Sequence, residues 1–182
     1  MKFTHRLINL MQIPYNKLPM SLSNMLWNIF TVSDSKFAVT YRYMYLKKYA
    51  RFVDRNVYVG KFVCLKNIDS LTIGKNVSIH SFNYVDAYGE IFIGNNVSIA
   101  NHCTLISSEH TWDDKNRPIK FNAICPRKIV IEDDVWIASG VRVLGGNTIR
   151  ERNIIAAGAV LTKSTEPNSL YVGIPAKRMK EV

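Results

Sequence analysis

The sequence predicts an all-β protein: a parallel β-helix of hexapeptide repeats, with a short helical N-terminal segment and one loop excluded from the coil. Three observations predict it. Ile131, Ile137, Val143, Ile149, Ile155 and Leu161 recur every six positions without a slip. Ile73, Ile79 and Val85, then Ile93, Ile99 and Leu105, keep the same beat in two earlier runs. Between 107 and about 128 the beat stops, in SSEHTWDDKNRPIKFNAICPRK, and then returns.

A helix repeats near 3.6 residues and a strand at two, so six belongs to neither. A chain that turns a corner every six residues places one aliphatic at the same depth on each flat face. Three faces close a coil, and successive coils stack at strand spacing, about 4.8 Å. Each stacked aliphatic then contributes roughly 1.5–3 kcal/mol by burial. The position four later (Val77, Val97, Cys103, Val135, Val141, Ala159) is also mostly apolar and helps fill the corner. Asn and Gly recur near the corners, as in IGKNVS at 73 and IGNNVS at 93, and suit positive φ. Hexapeptide repeats of this kind are a signature of parallel β-helices. No helical period connects the strands, which excludes a βαβ fold.

The chain of 182 residues has room for one domain and a modest appendage. Residues 1–56 read as a basic, helical segment. They carry Lys2, Arg6, Lys17, Lys36, Arg42, Lys47, Lys48 and Arg51 against a single acid, Asp34, before Asp54. Pro14 and Pro19 limit it to short helices, for instance around SNMLWNIF and VTYRYMYLKKYARF. Two uses fit such a segment: an amphipathic surface that touches a membrane or an anionic acceptor through residues 1–50, or an apolar side packed on its own domain. The coil follows over 57–164, with 107–128 excluded, and 165–182 form a C-terminal cap. The net charge of +10 implies an anionic partner without choosing its class. Cys64, Cys103 and Cys125 form no CxxC pair, against a disulfide framework or a zinc site, and fit a reducing compartment. The N-terminus does not read as a signal peptide, and MLWNIFTV is about half the length of a membrane span. The expected location is cytoplasmic, with the N-terminal segment allowing a peripheral position at the inner face of the membrane.

Three stretches, IGNNVSIANHCTLISSEH, IEDDVWIASGV and AAGAVLTK…YVGIPAKRM, occur in that order around the excluded loop. Together they make the sequence resemble the left-handed β-helix hexapeptide acyltransferases, in the branch of the galactoside, maltose and polysaccharide O-acetyltransferases. The resemblance covers residues 73–182. It implies a left-handed coil, acetyl-CoA as co-substrate, and a sugar or surface-polysaccharide hydroxyl as acceptor. It implies His110 as general base, since an imidazole can take the proton of a hydroxyl attacking a thioester. Transfer is expected to be direct, because no Ser or Cys in the sequence is paired with a base as a nucleophile needs. Backbone N–H groups near Ser139 would receive the oxyanion. Trp136 stands where the family carries a tryptophan beside the cofactor; it is too wide for the interior and must point outward. The acetyl-CoA contacts map onto Ser139, Ala157, Thr162, Lys163, Lys177 and Lys180, with Arg178 added to the phosphate cluster. Lysine at 177 and 180 replaces the family's common arginine, loosening those contacts.

On the acceptor side the sequence departs from the family. His80, Asp86 and Tyr88 are the expected acceptor contacts, and His80 and Tyr88 stand where galactoside enzymes carry Asn and Asp. A simple galactoside is therefore not the expected acceptor. His80, His102 and His110 fall at different phases of their hexads, so no metal site is expected. The resemblance also implies a homotrimer with sites between subunits. Two other functions fit the same coil: N-acetylation of an amino or nucleotide sugar, and a non-enzymatic scaffold or binding module. Nucleic-acid binding has only charge in its favour and no motif.

Overall fold

Three parallel sheets form the sides of a β-helix, and each strand pairs with the strand one coil away. Side A holds Phe52–Val53, Leu71–Ile73, Ile91–Ile93, Ile129–Ile131 and Thr148–Ile149. Side B holds Val57–Val59, Val77–Ile79, Ser98–Ile99, Trp136–Ile137, Ile154–Ile155 and Ser169–Val172, with Lys177–Glu181 added antiparallel at the end. Side C holds Cys64–Lys66, Tyr84–Asp86, Thr104–Ile106, Arg142–Val143 and Val160–Leu161. This computed structural model describes residues 2–182, with side chains from Ile8 onward except Asn9. The side chains of Lys2 and Arg6 lie outside the described residues.

The registers explain the beat. Ile73, Ile93, Ile131 and Ile149 stack on side A. Ile79, Ile99, Ile137 and Ile155 stack on side B. Val85, Leu105, Val143 and Leu161 stack on side C. All are at most 1% exposed, as are Val77, Val97, Cys103, Val135, Val141 and Ala159 at the corners. Ile93 pairs directly with Ile131, so the excluded loop leaves and returns without interrupting the stack. The coil also begins earlier than position 57: Val53 lies in step on side A, paired to Ile73.

Corners fall in columns of positive φ. Between sides A and B the column is Asn56, Asn76, Asn96, Asp134 and Arg152. There Asn56 Nδ2 donates to Asn76 Oδ1, and Asn76 Nδ2 to Asn96 Oδ1, both at 2.9 Å. Between B and C the column is Phe62, Phe82, His102, Gly140 and Gly158. That second column matters for the site.

Helices α1 (Lys2–Asn16), α2 (Met20–Phe30) and α3 (Lys36–Tyr49) close the lower end. Tyr43 and Leu46 of α3 join the coil's core, while Tyr41 and Met44 pack with Tyr15 of α1 in a second cluster. Arg42 is fully buried between them, donating to Val59 O, Phe30 O, Ser33 O and Asp34 Oδ1 at 2.6–3.0 Å. Leu10, Ile13, Met25 and Ile29 of α1 and α2 remain exposed. Among the described residues no helix is long and apolar enough to cross a membrane.

Candidate functional site

The excluded loop is anchored at the corner between sides C and A. Ser107 is fully buried there; its Oγ donates to Asp86 O at 2.8 Å and accepts from Gly89 N at 2.9 Å. Arg127 N, just past the returning strand, donates to Ser107 O at 2.7 Å. From these feet Ser108–His110 and Ile124–Pro126 rise as an antiparallel ribbon, His110 opposite Ile124. Beyond the ribbon the backbone turns around the buried Asn122, whose Oδ1 accepts from Asp114 N at 3.1 Å. His110 is exposed and borders a hollow of about 130 Å³ with Glu109, Trp112, Cys125 and Arg127. Arg127 pairs with Glu109 at 3.3 Å. Trp112, Ile119 and Phe121 are each more than 60% exposed on the loop. Such exposure of three large apolar groups suits a contact surface.

Asp86 and Tyr88 lie at this same corner. Asp86 Oδ1 accepts from Asn67 Nδ2 at 2.7 Å and from Tyr88 N at 3.1 Å, and the Tyr88 ring is exposed. His80 is elsewhere, at the end of its strand on side B. The three expected acceptor contacts are therefore not brought together within one chain.

Most of the expected cofactor residues, all but Thr162 and Lys163, gather around side B and the B–C corner. Ser139 and Ala157 sit on that corner in successive coils, both exposed. Ser139 Oγ donates to Asn101 Oδ1 at 2.7 Å, and Gly158 N donates to Ser139 O at 2.9 Å. A Cβ on Gly140 would meet nothing closer than Gly158 at 3.8 Å, and one on Gly158 nothing at all. The corner is thus a bare strip, open to a flexible chain. Trp136 points outward from side B, half exposed, between Ser98 and Ile154 in register. Lys177 and Lys180 stand on the terminal strand of the same sheet, opposite Val172 and Leu170. Thr162 and Lys163 are exposed but follow Val160–Leu161 on side C, so they lie at the corner between sides C and A, where the loop bearing His110 departs, and not on the strip.

The named residues thus form two groups at two corners of one coil. His110, Asp86 and Tyr88 occupy one; Ser139 and Ala157, with Trp136 close by, occupy the other. The strands of side C between these corners are two or three residues long, about 7–10 Å, which is already beyond the reach of a proton transfer, about 3 Å.

Sequence reasoning missed a third feature, on side B below Trp136. A hollow of about 470 Å³ opens there between Trp136, His80, Phe82 and His102. Phe62, Phe82 and His102 are stacked, with centroids 5.1 and 4.9 Å apart and interplanar angles of 18° and 2°. Their spacing of twenty positions, one lower coil, was the signal that could have found them.

The electrostatics bear on mechanism. Burial pushes the Cys103 thiol above its ordinary value, so it makes a poor nucleophile. Hydrogen bonds from Arg51 and then Lys128 hold the Glu90 carboxyl below its ordinary value, and those from Asn95 do so for Asp133. Among the described residues no cluster of three His, Cys, Asp or Glu could hold a metal ion.

No family model matches the chain. A Schizosaccharomyces pombe relative is 45% identical over 92 residues, which are 50% of this chain and 44% of that one. A galactoside O-acetyltransferase of Escherichia coli (strain K12) is 30% identical over 138 residues, 75% of this chain and 66% of that protein. The chain thus spans less than half of the first relative's length. A hexapeptide-repeat-containing acetyltransferase from Vibrio cholerae, solved in complex with acetyl-CoA, matches with a TM-score of 0.77 at 24% identity, over 88% of this chain and 85% of that one. At that identity the likeness is one of fold.

Proposed function

This chain belongs to the left-handed β-helix acyltransferases built from hexapeptide repeats, and from that premise we propose that it moves an acetyl group from acetyl-CoA to a hydroxyl of a sugar or surface-polysaccharide precursor. The observation that carries the reading is the bare strip at Gly140 and Gly158. It is flanked by the outward Trp136 and leads toward the lysines of the terminal strand. Small residues at 139 and 157 let a pantetheine arm lie against the backbone. Lys163, Lys177, Arg178 and Lys180 supply charge-assisted donors for phosphates.

In this reaction the acceptor oxygen attacks the thioester carbonyl carbon while His110 takes the hydroxyl proton. A C–O bond forms, the C–S bond breaks, and the proton passes to the departing thiolate, giving free CoA. The transient oxyanion needs a fixed donor. Ala138 N is committed to Ile155 O at 2.9 Å and Gly140 N to Asn101 O at 3.0 Å. The donor assigned here is therefore the N–H of Ser139 between them.

His110 and the strip lie at different corners, so this reading requires a second copy of the chain to complete each site. A homotrimer does so: the loop of one subunit, led by Trp112, Ile119 and Phe121, reaches the strip of the next. The enzyme works in the cytoplasm, and the exposed Leu10, Ile13, Met25 and Ile29 of a basic segment support a peripheral contact with an anionic membrane.

Refolding an equal mixture of His110→Ala and Ala157→Trp chains tests this. The first lacks the base and the second has a blocked strip, and each alone is expected to be inactive. In random trimers about a quarter of the interfaces carry both intact parts, so about a quarter of wild-type acetyl transfer is expected. No recovery from trimers shown to be mixed would mean that each site is built within one chain. No acetyl-CoA turnover by wild type with a panel of glycan acceptors would remove the activity itself.

A further inference from the structure

We propose that the hollow on side B, below Trp136, is the acceptor site and that it selects a sugar carrying an anionic group, with the Phe82–His102 stack as its wall and Lys61 as its counter-charge. The proposal rests on the acetyl-transfer reading above and names its substrate class.

The corner column is the first argument. Phe62, Phe82 and His102 have φ of 54°, 62° and 60°, where Asn or Gly is cheap and a bulky side chain is strained. The A–B corner of the same lower coils takes the cheap solution, with Asn56, Asn76 and Asn96. Core packing does not explain the aromatics, because Phe62 and Phe82 are 42% and 45% exposed. Strain kept in exposed rings is better explained by a ligand than by the fold. Aromatic surface beside neutral polar groups suits a pyranose, whose C–H face is apolar and whose hydroxyls need partners.

Place and charge supply the rest. The volume of about 470 Å³ falls within the range of small-molecule sites, about 300–1,000 Å³. Ser81 and Asn101 offer hydroxyl and amide groups, and Lys61, half-buried, offers an ammonium. None of the nine lining residues is acidic. Lys61 has no ion-pair partner among the described residues. Arg142 at the same corner is likewise held by carbonyls, His102 O at 2.7 Å and Gly140 O at 3.0 Å, rather than by a carboxylate. Two cations without a carboxylate leave a field that favours an anion. The stack ends at His102, where the bare strip begins, and Asn101 is hydrogen-bonded to Ser139. A hydroxyl held in the hollow is therefore next to the path of the thioester.

The test uses full-length protein and 4-nitrophenyl uronides of gluco, galacto and manno configuration, each paired with its neutral hexoside. Binding is measured by titration without acetyl-CoA, and acetylation is then measured separately. At least one uronide is expected to bind about tenfold more tightly than its neutral pair, the worth of one charge-assisted contact. Lys61→Gln should abolish that preference while leaving the hexoside unchanged. Phe82→Gly should weaken both sugars about fivefold or more without lowering the melting temperature, since glycine suits φ of 62°. Preference for none of the uronides, preference that survives Lys61→Gln, or binding untouched by Phe82→Gly overturns the proposal. If uronides bind as stated but are never acetylated, the activity fails and the site stands. If sugars are acetylated but no uronide is bound in preference to its neutral pair, the site fails and the activity stands.

Discussion

Replacing Arg42 by Met should loosen the helical cap from the coil before it affects any chemistry. The side chain is fully buried and makes four hydrogen bonds, spread over the coil, the end of α2 and the turn that follows. Nε donates to Val59 O at 2.8 Å, on the lowest strand of side B. Nη1 donates to Phe30 O at 2.6 Å, at the end of α2, and to Ser33 O at 2.7 Å in the turn that follows. Nη2 meets Asp34 Oδ1 at 3.0 Å. Methionine keeps most of the volume but none of the donors, so the three carbonyls lose their partner. A stranded buried acceptor costs about 1–3 kcal/mol. Phe30 and Ser33 are only half-buried and can recover water, so the low end applies: about 3 kcal/mol in all. Asp34 is 41% exposed and rehydrates, so Asp34→Ala should cost under about 1 kcal/mol and serves as control. For a chain of this size about 3 kcal/mol lowers the melting temperature by roughly 6–12 °C. Circular dichroism should show the helical signal melting ahead of the β signal, and limited proteolysis should cut first between Ser33 and Arg51. An Arg42→Met protein that melts within about 2 °C of wild type, with the same proteolytic pattern, would refute the reasoning.

Other expectations follow from the same geometry. Trp136→Ala and Lys163→Ala should each weaken acetyl-CoA binding while barely changing the melting temperature, both being exposed; a titration showing unchanged affinity in both would remove the cofactor surface. Gly89→Ala should lower kcat by roughly 10²-fold with the coil intact, because its Cβ would collide with Ser107 O and Arg127 N, the two feet of the loop that carries His110; wild-type kcat in that variant would detach the feet from the placement of the base. Acid should act through Asp133. Folding lowers its pKa, so its contribution is complete above the ordinary Asp value and is lost as pH falls through the folded value. Asp133→Asn should therefore flatten the fall in melting temperature below about pH 4, and an unchanged slope would show that the Asn95 contact contributes nothing.

Much of the coil was legible because its buried column is periodic in the chain itself. Ile131 to Leu161 differ from their neighbours in hydrophobicity and stand six apart, so a one-dimensional pattern carries a three-dimensional stack. Only the first strand of the lowest coil, Phe52–Val53, falls outside the range 57–164 read from the sequence, although Val53 and Val59 stand six apart, because the helical segment before it blurs where the pattern starts. The role of α3 was illegible for another reason. Tyr41 and Met44 face α1 and α2 while Tyr43 and Leu46 face the coil, so the helix has no single apolar stripe to read. The aromatic wall was missed because outward residues take no part in the burial rhythm; Phe62, Phe82 and His102 repeat with the coil, not with the hexad. The division of the site into two groups was nevertheless available to counting. Successive hexads occupy sides A, B and C in turn, so the number of hexads between two residues, taken modulo three, gives their relation around the axis. Ser139 follows Ile137 on side B, Ala157 follows Ile155 on side B, and the loop bearing His110 departs after Leu105 on side C. Two residues at different counts cannot share a corner, however near they lie in sequence. Under the proposed roles, with His110 as base at one count and the strip holding the cofactor at another, the two can meet across one thioester only with a neighbouring subunit.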